Sequence, residues 1–195
     1  AIIVKHQDVS WTYQQYWYEV ERVACGLLAK GVEPGDRVGI WSPNNIEWSI
    51  VQMATARIGA IMVCLNPAYR PDELAFAINN VAVKYLVMAQ SFKQSNYVAM
   101  LKELAPEIDS QDKNTPKRPL TLSKLPSLKY VYTIGDKPVE GLQAFSALQI
   151  EPTEALKSQL EAVESNLSAD DNINIQFTSG TTGNPKGATL THRNI

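Results

Sequence analysis

The apolar and polar positions of the chain alternate between runs typical of buried strands and spacings typical of helices. Short, nearly continuous apolar runs occupy Arg37–Ser42, Ala60–Pro67 and Lys84–Ala89. Between them, apolar residues recur every three or four positions, as they do in amphipathic helices. Strands that are apolar throughout and alternate with helices are typical of parallel sheets that are covered on both faces. The pattern therefore predicts an α/β fold with a mainly parallel sheet and helices on both faces.

Turn and capping residues indicate where these elements end. Thr12 and Gln15 have the spacing of a capping box, and Gly31 is suited to end the helix that they begin. Further helices are predicted over residues 46–58, from residue 71 onward, over 91–104 and over 153–165, and further strands over 129–135 and 172–178. Residues 106–126 break the rhythm with Pro, Lys, Asp, Ser and Thr, which predicts an exposed loop or an insertion.

Composition and charge argue against two classes of function. The 195 residues carry a formal net charge of −2, which gives no electrostatic basis for binding nucleic acid or an anionic membrane. No apolar run approaches the roughly 20 residues needed to span a bilayer. Cys25 and Cys64 form neither a disulfide framework nor a metal-binding spacing. Both are predicted to be core thiols in a reducing compartment.

The stretch richest in chemistry is Thr178–Gly187, with the sequence TSGTTGNPKG. Its glycines let the backbone turn sharply and approach a ligand closely, and successive backbone N–H groups in such turns form a concavity for an anion. Four hydroxyl groups and the ammonium group of Lys186 add further donors. A polyphosphate is the ligand that would use all of these groups at once.

Two familiar nucleotide-binding loops do not fit this stretch. Gly180 and Lys186 have the spacing of the mononucleotide P-loop, G-x-x-x-x-G-K-[ST], but Pro185 and Gly187 replace its second glycine and its hydroxyl residue. The P-loop also precedes a helix, whereas Ala188–His192 is β-branched and strand-like. The dinucleotide signature G-x-G-x-x-G does not occur in the sequence.

The stretch FTSGTTGNPKGATLTHRNI resembles instead the phosphate-binding signature of the adenylate-forming superfamily, which includes the acyl-CoA synthetases. The pattern [ST]-S-G-[ST]-T-G-x-P-K-G is matched at every position. Upstream, WTYQQ, GVEPGDRVGIWSPNNIEW, ATARIGAIMVCLNPAYRPDEL and VKYLVM are similar to successive segments of the large N-terminal domain of that family. Within the superfamily, the chain is most similar to medium-chain acyl-CoA synthetases of the family member 2 type.

The resemblance implies an ATP-dependent fatty acid:CoA ligase, which forms an acyl-adenylate and then an acyl-CoA. Its expected substrates are a fatty or other carboxylic acid, ATP with Mg²⁺, and coenzyme A. The resemblance assigns the phosphates to Thr178, Ser179, Gly180, Thr181, Thr182, Gly183, Asn184, Pro185 and Lys186. It assigns no metal ligand within this chain.

The resemblance also implies that residues 1–195 are an incomplete N-terminal AMP-binding domain. The family's Thr-Glu motif for Mg²⁺, its ribose-binding aspartate and its C-terminal domain with the catalytic lysine have no counterpart in this sequence, so no catalytic residue is assigned. We therefore expect the segment to be inactive alone, and the alternative is a truncated, non-catalytic nucleotide-binding or interaction module. A cytoplasmic location is expected, or a mitochondrial one for a eukaryotic relative whose transit peptide is missing.

Overall fold

The computed structural model of the protein describes residues 2–110, 118–135, 137–178 and 185–195. The α-helices are α1 (Tyr13–Ala29), α2 (Ile46–Arg57), α3 (Pro71–Asn80), α4 (Tyr97–Leu104) and α5 (Glu154–Glu164). The strands are β1 (Ile2–Val4), β2 (Val9–Trp11), β3 (Arg37–Trp41), β4 (Ile61–Cys64), β5 (Tyr85–Ala89), β6 (Ser91–Phe92), β7 (Ser95–Asn96), β8 (Tyr130–Ile134), β9 (Gln143–Ala144), β10 (Asn172–Thr178) and β11 (Lys186–Thr191). Short 3-10 helices occupy Lys5–Gln7, Pro106–Ser110, Phe145–Leu148 and His192–Asn194.

Local capping explains where the first helices begin. The backbone N–H of Gln15 donates to Thr12 Oγ1 at 3.2 Å, and the backbone N–H of Thr12 donates to Gln15 Oε1 at 2.9 Å. The predicted capping box is therefore confirmed. Asn45 caps α2 in a related way, because its Oδ1 accepts a hydrogen bond from the backbone N–H of Trp48 at 2.8 Å. Each cap satisfies an N–H group that has no partner within its helix.

The main sheet contains β11, β10, β4, β3, β5, β8 and β9, in that spatial order. Neighbouring strands in it are parallel except for β10 and β11, which are antiparallel. The pairs β1–β2 and β6–β7 form small separate antiparallel ribbons. The prediction of an α/β fold with a mainly parallel sheet is confirmed.

Helices α3 and α4 bury one face of this sheet. Their apolar residues, such as Leu74, Ile78 and Leu101, pack with Val63 of β4 and Leu86 of β5, and all five side chains are fully buried. Each such side chain contributes about 1.5–3 kcal/mol through the removal of apolar surface from water. This cluster extends to Ile175 of β10, so the strand that leads into the predicted phosphate loop is held by the same core.

Helices α1, α2 and α5 bury the opposite face. Leu27, Ile50 and Leu160, one from each helix, share a core with Ile40 of β3 and Val87 of β5. Because side chains alternate between the faces of a strand, two cores can be built from strands that are apolar at nearly every position. The predicted cover of helices on both faces is confirmed.

The helix predicted over residues 91–104 begins six residues later than expected. Ser91 and Phe92 pair with Ser95 and Asn96 in the β6–β7 ribbon, and α4 starts only at Tyr97. Asn96 is the residue that caps it, since its Oδ1 accepts a hydrogen bond from the backbone N–H of Ala99 at 3.0 Å. The prediction was wrong because Ser91 and Asn96 are both good capping residues, and only one of them precedes the turn that packs on the core.

The segment over residues 106–126, predicted to be an exposed loop or an insertion, is not exposed throughout its described residues. Residues 111–117 lie outside the described part of the chain, but the flanking residues contribute buried side chains to the core. Ile108, Leu120, Leu122 and Leu125 are all at most 5% exposed. Leu120 and Leu122 alternate with polar residues over too few positions to predict an element, and the sequence pattern therefore gave no sign of this burial.

Gly26 lets α1 approach the 3-10 helix at Phe145–Leu148. A Cβ built on Gly26 would lie 1.9 Å from the backbone oxygen of Leu148, closer than any real contact. In an exposed helix, Gly→Ala raises stability by about 1 kcal/mol. Here the Gly26→Ala variant should instead lose about 1–3 kcal/mol of unfolding free energy, because the added methyl group forces the two backbones apart.

Denaturant unfolding of the purified chain measures this effect. Gln14→Ala, at an exposed position of the same helix, is the control and should change the free energy of unfolding by less than about 0.5 kcal/mol. A Gly26→Ala variant that is as stable as the wild type, or more so, would show that α1 does not make this close approach in solution.

Candidate phosphate-binding site

The two ends of the predicted phosphate loop meet in an antiparallel hairpin. Thr178, the last residue of β10, is paired with Lys186, the first residue of β11. Thr178 Oγ1 lies 3.4 Å from the backbone oxygen of Lys186, to which it donates a hydrogen bond. The pairing closes the hairpin and fixes the two ends of the loop that connects β10 to β11.

The nine residues predicted to bind phosphate are thus described only at their edges. Thr178 and Lys186 are exposed and Pro185 is half-buried. Ser179, Gly180, Thr181, Thr182, Gly183 and Asn184 lie outside the described residues. The strand expected after the loop is present and starts two residues earlier than predicted, at Lys186.

The topology of the sheet determines where this hairpin lies. β10 runs parallel to β4, and β4 is parallel to β3. The carboxyl ends of these strands therefore share one edge of the sheet. In open α/β sheets, ligands bind at that edge. The hairpin reverses direction at this edge, next to the segments that follow Trp41 and Cys64.

Gly187 has a packing role that the motif alone did not indicate. It is paired with Phe177 across the hairpin. A Cβ on Gly187 would lie 3.1 Å from Ile175 Cγ2, which is tighter than most real contacts, and 3.5 Å from Val81 Cγ1, which is an ordinary contact distance. The missing side chain therefore lets β11 lie close against the apolar side chains beside the hairpin.

Lys186 supplies a positive charge at the mouth of the hairpin. Its side chain is exposed, and it takes part in none of the ion pairs found among the described residues. An ammonium group that is not neutralised by a carboxylate keeps its charge available for an anionic ligand.

A cavity of about 240 Å³ lies beside the hairpin at the same edge of the sheet. Its lining consists of Ser42, Asn44, Trp48, Cys64, Leu65, Asn66, Pro67, Gln176 and Phe177. None of these side chains is charged. The cavity therefore suits an uncharged group, whereas the exposed Lys186 beside it carries a positive charge.

Hydrogen bonds to backbone oxygens hold the rim of this cavity. Trp41 Nε1 donates to the backbone oxygen of Asn66 at 3.1 Å, and the hydroxyl of Tyr97 donates to that of Pro67 at 2.6 Å. The rings of Trp41 and Tyr97 are stacked, with centroids 3.8 Å apart. The sequence analysis did not predict this cavity, although part of its lining follows β3 and β4 directly and so had to lie at the carboxyl edge.

The two cysteines differ in their surroundings. Cys25 is fully buried in α1, as expected of a core thiol, whereas Cys64 is only half-buried and lines the cavity. Burial raises the pKa of the Cys64 thiol, and the hydrogen bond with Asn174 offsets part of that rise. The thiol therefore remains protonated at neutral pH and is a poor nucleophile.

Neither a metal centre nor a membrane-spanning segment is formed by the described residues. No group of three His, Cys, Asp or Glu side chains among them could hold a metal ion. No helix within the described ranges is long and apolar enough to cross a bilayer. We treat the Mg²⁺ that is expected with ATP as part of the nucleotide substrate.

Comparison with known proteins shows the family of the chain. The model of the AMP-binding enzyme family matches residues 1–195. The chain is 42% identical over 196 residues to the mitochondrial medium-chain acyl-CoA ligase ACSF2 of Homo sapiens, covering 100% of this chain and 31% of that protein. It is 40% identical over 195 residues to the ACSF2 ligase of Danio rerio, again covering 100% and 31%.

A solved structure shares the fold. Acetoacetyl-CoA synthetase from Streptomyces lividans matches with a TM-score of 0.74 and 22% identity over 96% of this chain and 26% of that one. The chain spans about a third of the length of the curated relatives that it matches. The resemblance to adenylate-forming enzymes, and among them to medium-chain acyl-CoA synthetases of the family member 2 type, is confirmed. The chain belongs to the family of AMP-binding enzymes.

Proposed function

We propose that the complete polypeptide containing this chain is an ATP-dependent fatty acid:CoA ligase. In its first step, a carboxylate oxygen attacks the α-phosphorus of ATP, and pyrophosphate leaves. In its second step, the thiol of coenzyme A attacks the acyl carbon of the adenylate, and AMP leaves. The observation that carries the proposal is the hairpin closed by Thr178 and Lys186 at the carboxyl edge of the sheet, within a sequence signature that is matched throughout.

The hairpin would act on the group that leaves in the first step. Negative charge accumulates on the β- and γ-phosphates as the bond to the α-phosphorus breaks. Lys186 offsets that charge, and the hydroxyl groups of Thr178, Ser179, Thr181 and Thr182 donate hydrogen bonds to the phosphate oxygens. Donors placed where charge develops lower the barrier most, because they need no reorganisation during the reaction.

We further propose that residues 1–195 alone do not form the adenylate. The support is the length of the relatives, which are about three times as long as this chain, together with the uncharged lining of the cavity beside the hairpin. The second candidate is a segment that binds nucleotide without turning it over. It is favoured by the same observation, that the chain is about a third as long as these relatives.

The two free cysteines favour a reducing compartment for the protein. The cytoplasm and the mitochondrial matrix both meet this condition. The names of the human and zebrafish relatives include the word mitochondrial, and we propose the mitochondrion for a eukaryotic source and the cytoplasm for a bacterial one.

The role of the hairpin is tested with two variants of the complete polypeptide encoded by the gene. Lys186→Ala and Thr182→Val should each lower the rate of pyrophosphate release by on the order of 10²–10³-fold, because each removes a donor to the departing phosphates. Pyrophosphate release is measured with ATP, Mg²⁺ and octanoate, and melting temperatures should stay close to the wild-type value.

Matched controls separate the site from a general effect of surface changes. Lys124→Ala removes an exposed lysine far along the chain from the hairpin, and Thr189→Val changes an exposed threonine on β11 itself. Both should keep wild-type rates. Wild-type rates in Lys186→Ala and Thr182→Val as well would mean that the phosphates bind elsewhere.

The inactivity of the short segment is tested by assaying the 195-residue chain beside the complete polypeptide. The complete polypeptide should release pyrophosphate, and the segment should not. Titration calorimetry of the segment with ATP then tests the second candidate, since heat of binding without turnover would support a nucleotide-binding module. Comparable turnover by both proteins would overturn the proposal that the segment is inactive.

A further inference from the structure

Asn174 is a buried amide with a weak hydrogen-bonding partner. It lies in the middle of β10 and is only 1% exposed. Among the described residues, Ser42, Thr55 and Thr133 are polar and similarly buried, and each donates its hydroxyl to a backbone oxygen. The side-chain amide of Asn174 instead contacts the sulfur of Cys64. Its Nδ2 lies 3.6 Å and its Oδ1 3.7 Å from Sγ.

This pairing does not satisfy the amide. A side-chain amide has two N–H donors and a carbonyl acceptor, whereas a thiol offers one weak donor and a weak acceptor. A buried polar group without good partners lowers stability. An apolar β-branched residue would suit the middle of a strand better. Stability alone therefore gives no reason for an asparagine at this position.

Asn174 stands directly after an irregularity in the pairing of β10 with β11. Asn172 is paired with Thr191, but the next paired residue of β10, Asn174, is opposite Leu190. Ile173 is therefore an extra residue without a counterpart in β11. Such a bulge bends its strand and increases the local twist, so the direction of the strand beyond Ile173 depends on what holds it there.

The contact between Asn174 and Cys64 holds β10 against β4 just after this bulge. Asn174 is opposite Met62 in the parallel register, and its side chain reaches along the strand to Cys64, the last residue of β4. From Asn174 to Gln176 the register with β4 is regular. Thr178, where the hairpin closes, is only four residues after Asn174.

We infer that Asn174 is a positioning residue, and that its contact with Cys64 sets the bend of β10 and thereby the placement of the hairpin at Thr178 and Lys186. The inference rests on the proposed function, in which that hairpin holds the β- and γ-phosphates. Asn174 acts through the hairpin and does not touch the reacting atoms. A misplacement of about 1 Å costs on the order of 10²-fold in rate, so a small change of bend is sufficient.

Asn174→Val and Asn174→Ala test the inference, because the two new side chains bracket asparagine in volume. In the complete polypeptide, kcat for pyrophosphate release should fall about 10- to 100-fold, while KM for octanoate stays unchanged. The melting temperature of Asn174→Val should be unchanged or higher, since a poorly satisfied amide has been removed. Hydrogen–deuterium exchange over residues 175–178 and 186–188 should become faster.

Two further variants show whether the effect belongs to the contact with Cys64. Asn172→Ala removes an exposed amide from the start of the same strand and should leave kcat and exchange at wild-type values. Cys64→Ala should reproduce the loss of kcat, and the double variant with Asn174→Val should be no worse than either single variant, because both changes break one contact. Additive losses in the double variant would contradict the inference.

The exchange measurement separates this inference from the proposed function. If the wild-type polypeptide releases no pyrophosphate, the proposed function fails, but faster exchange of the hairpin in Asn174→Val still supports the positioning role. Unchanged exchange together with unchanged kcat would overturn that role. The positioning role would also be overturned if kcat fell in both variants only to the extent that the melting temperature fell, since a purely structural role gives that result.

Discussion

The parallel pairing of β10 with β4 is the interaction on which the candidate site depends. It adds β10 to a sheet that is already buried on both faces, and it brings Thr178 to the edge where β3 and β4 end. Because the same pairing places Ile175 in the core shared with α3 and α4, the strand is anchored over its middle while its end stays at the surface. A ligand-binding loop can then be carried on a fixed stem.

The sequence predicts this architecture well where local and long-range signals agree. Thr12 with Gln15, and Asn45 before α2, combine a capping residue with an apolar stripe, and both helices form where they are expected. Prediction fails where two capping residues compete, as at Ser91 and Asn96. Only packing decides between them, and the sequence pattern does not contain that information.

The residues of the candidate site also differ in whether the sequence predicts them. The phosphate signature predicts a set of binding residues, because each glycine, hydroxyl and lysine in it has a chemical purpose at a fixed spacing. The cavity beside the hairpin had no comparable signal, since its residues come from three separate segments and none is charged. Asn174 was likewise hidden in β10, whose sequence NINIQFT alternates polar and apolar residues, because that alternation is typical of a strand with its polar side chains exposed. Register, unlike motif, is a property of two segments together.

The position of β11 at the border of the sheet has a consequence for the behaviour of the chain in solution. In the described structure it is bonded on one side only, to β10, and its other side presents backbone donors and acceptors that another strand could use. That border is polar, because β11 carries Lys186 at its start and threonines at positions 189 and 191. Charged side chains at such a border oppose pairing with a strand of another molecule. Lys186 would thus have two effects: it would offset the charge of an anionic ligand, and it would oppose self-association through β11.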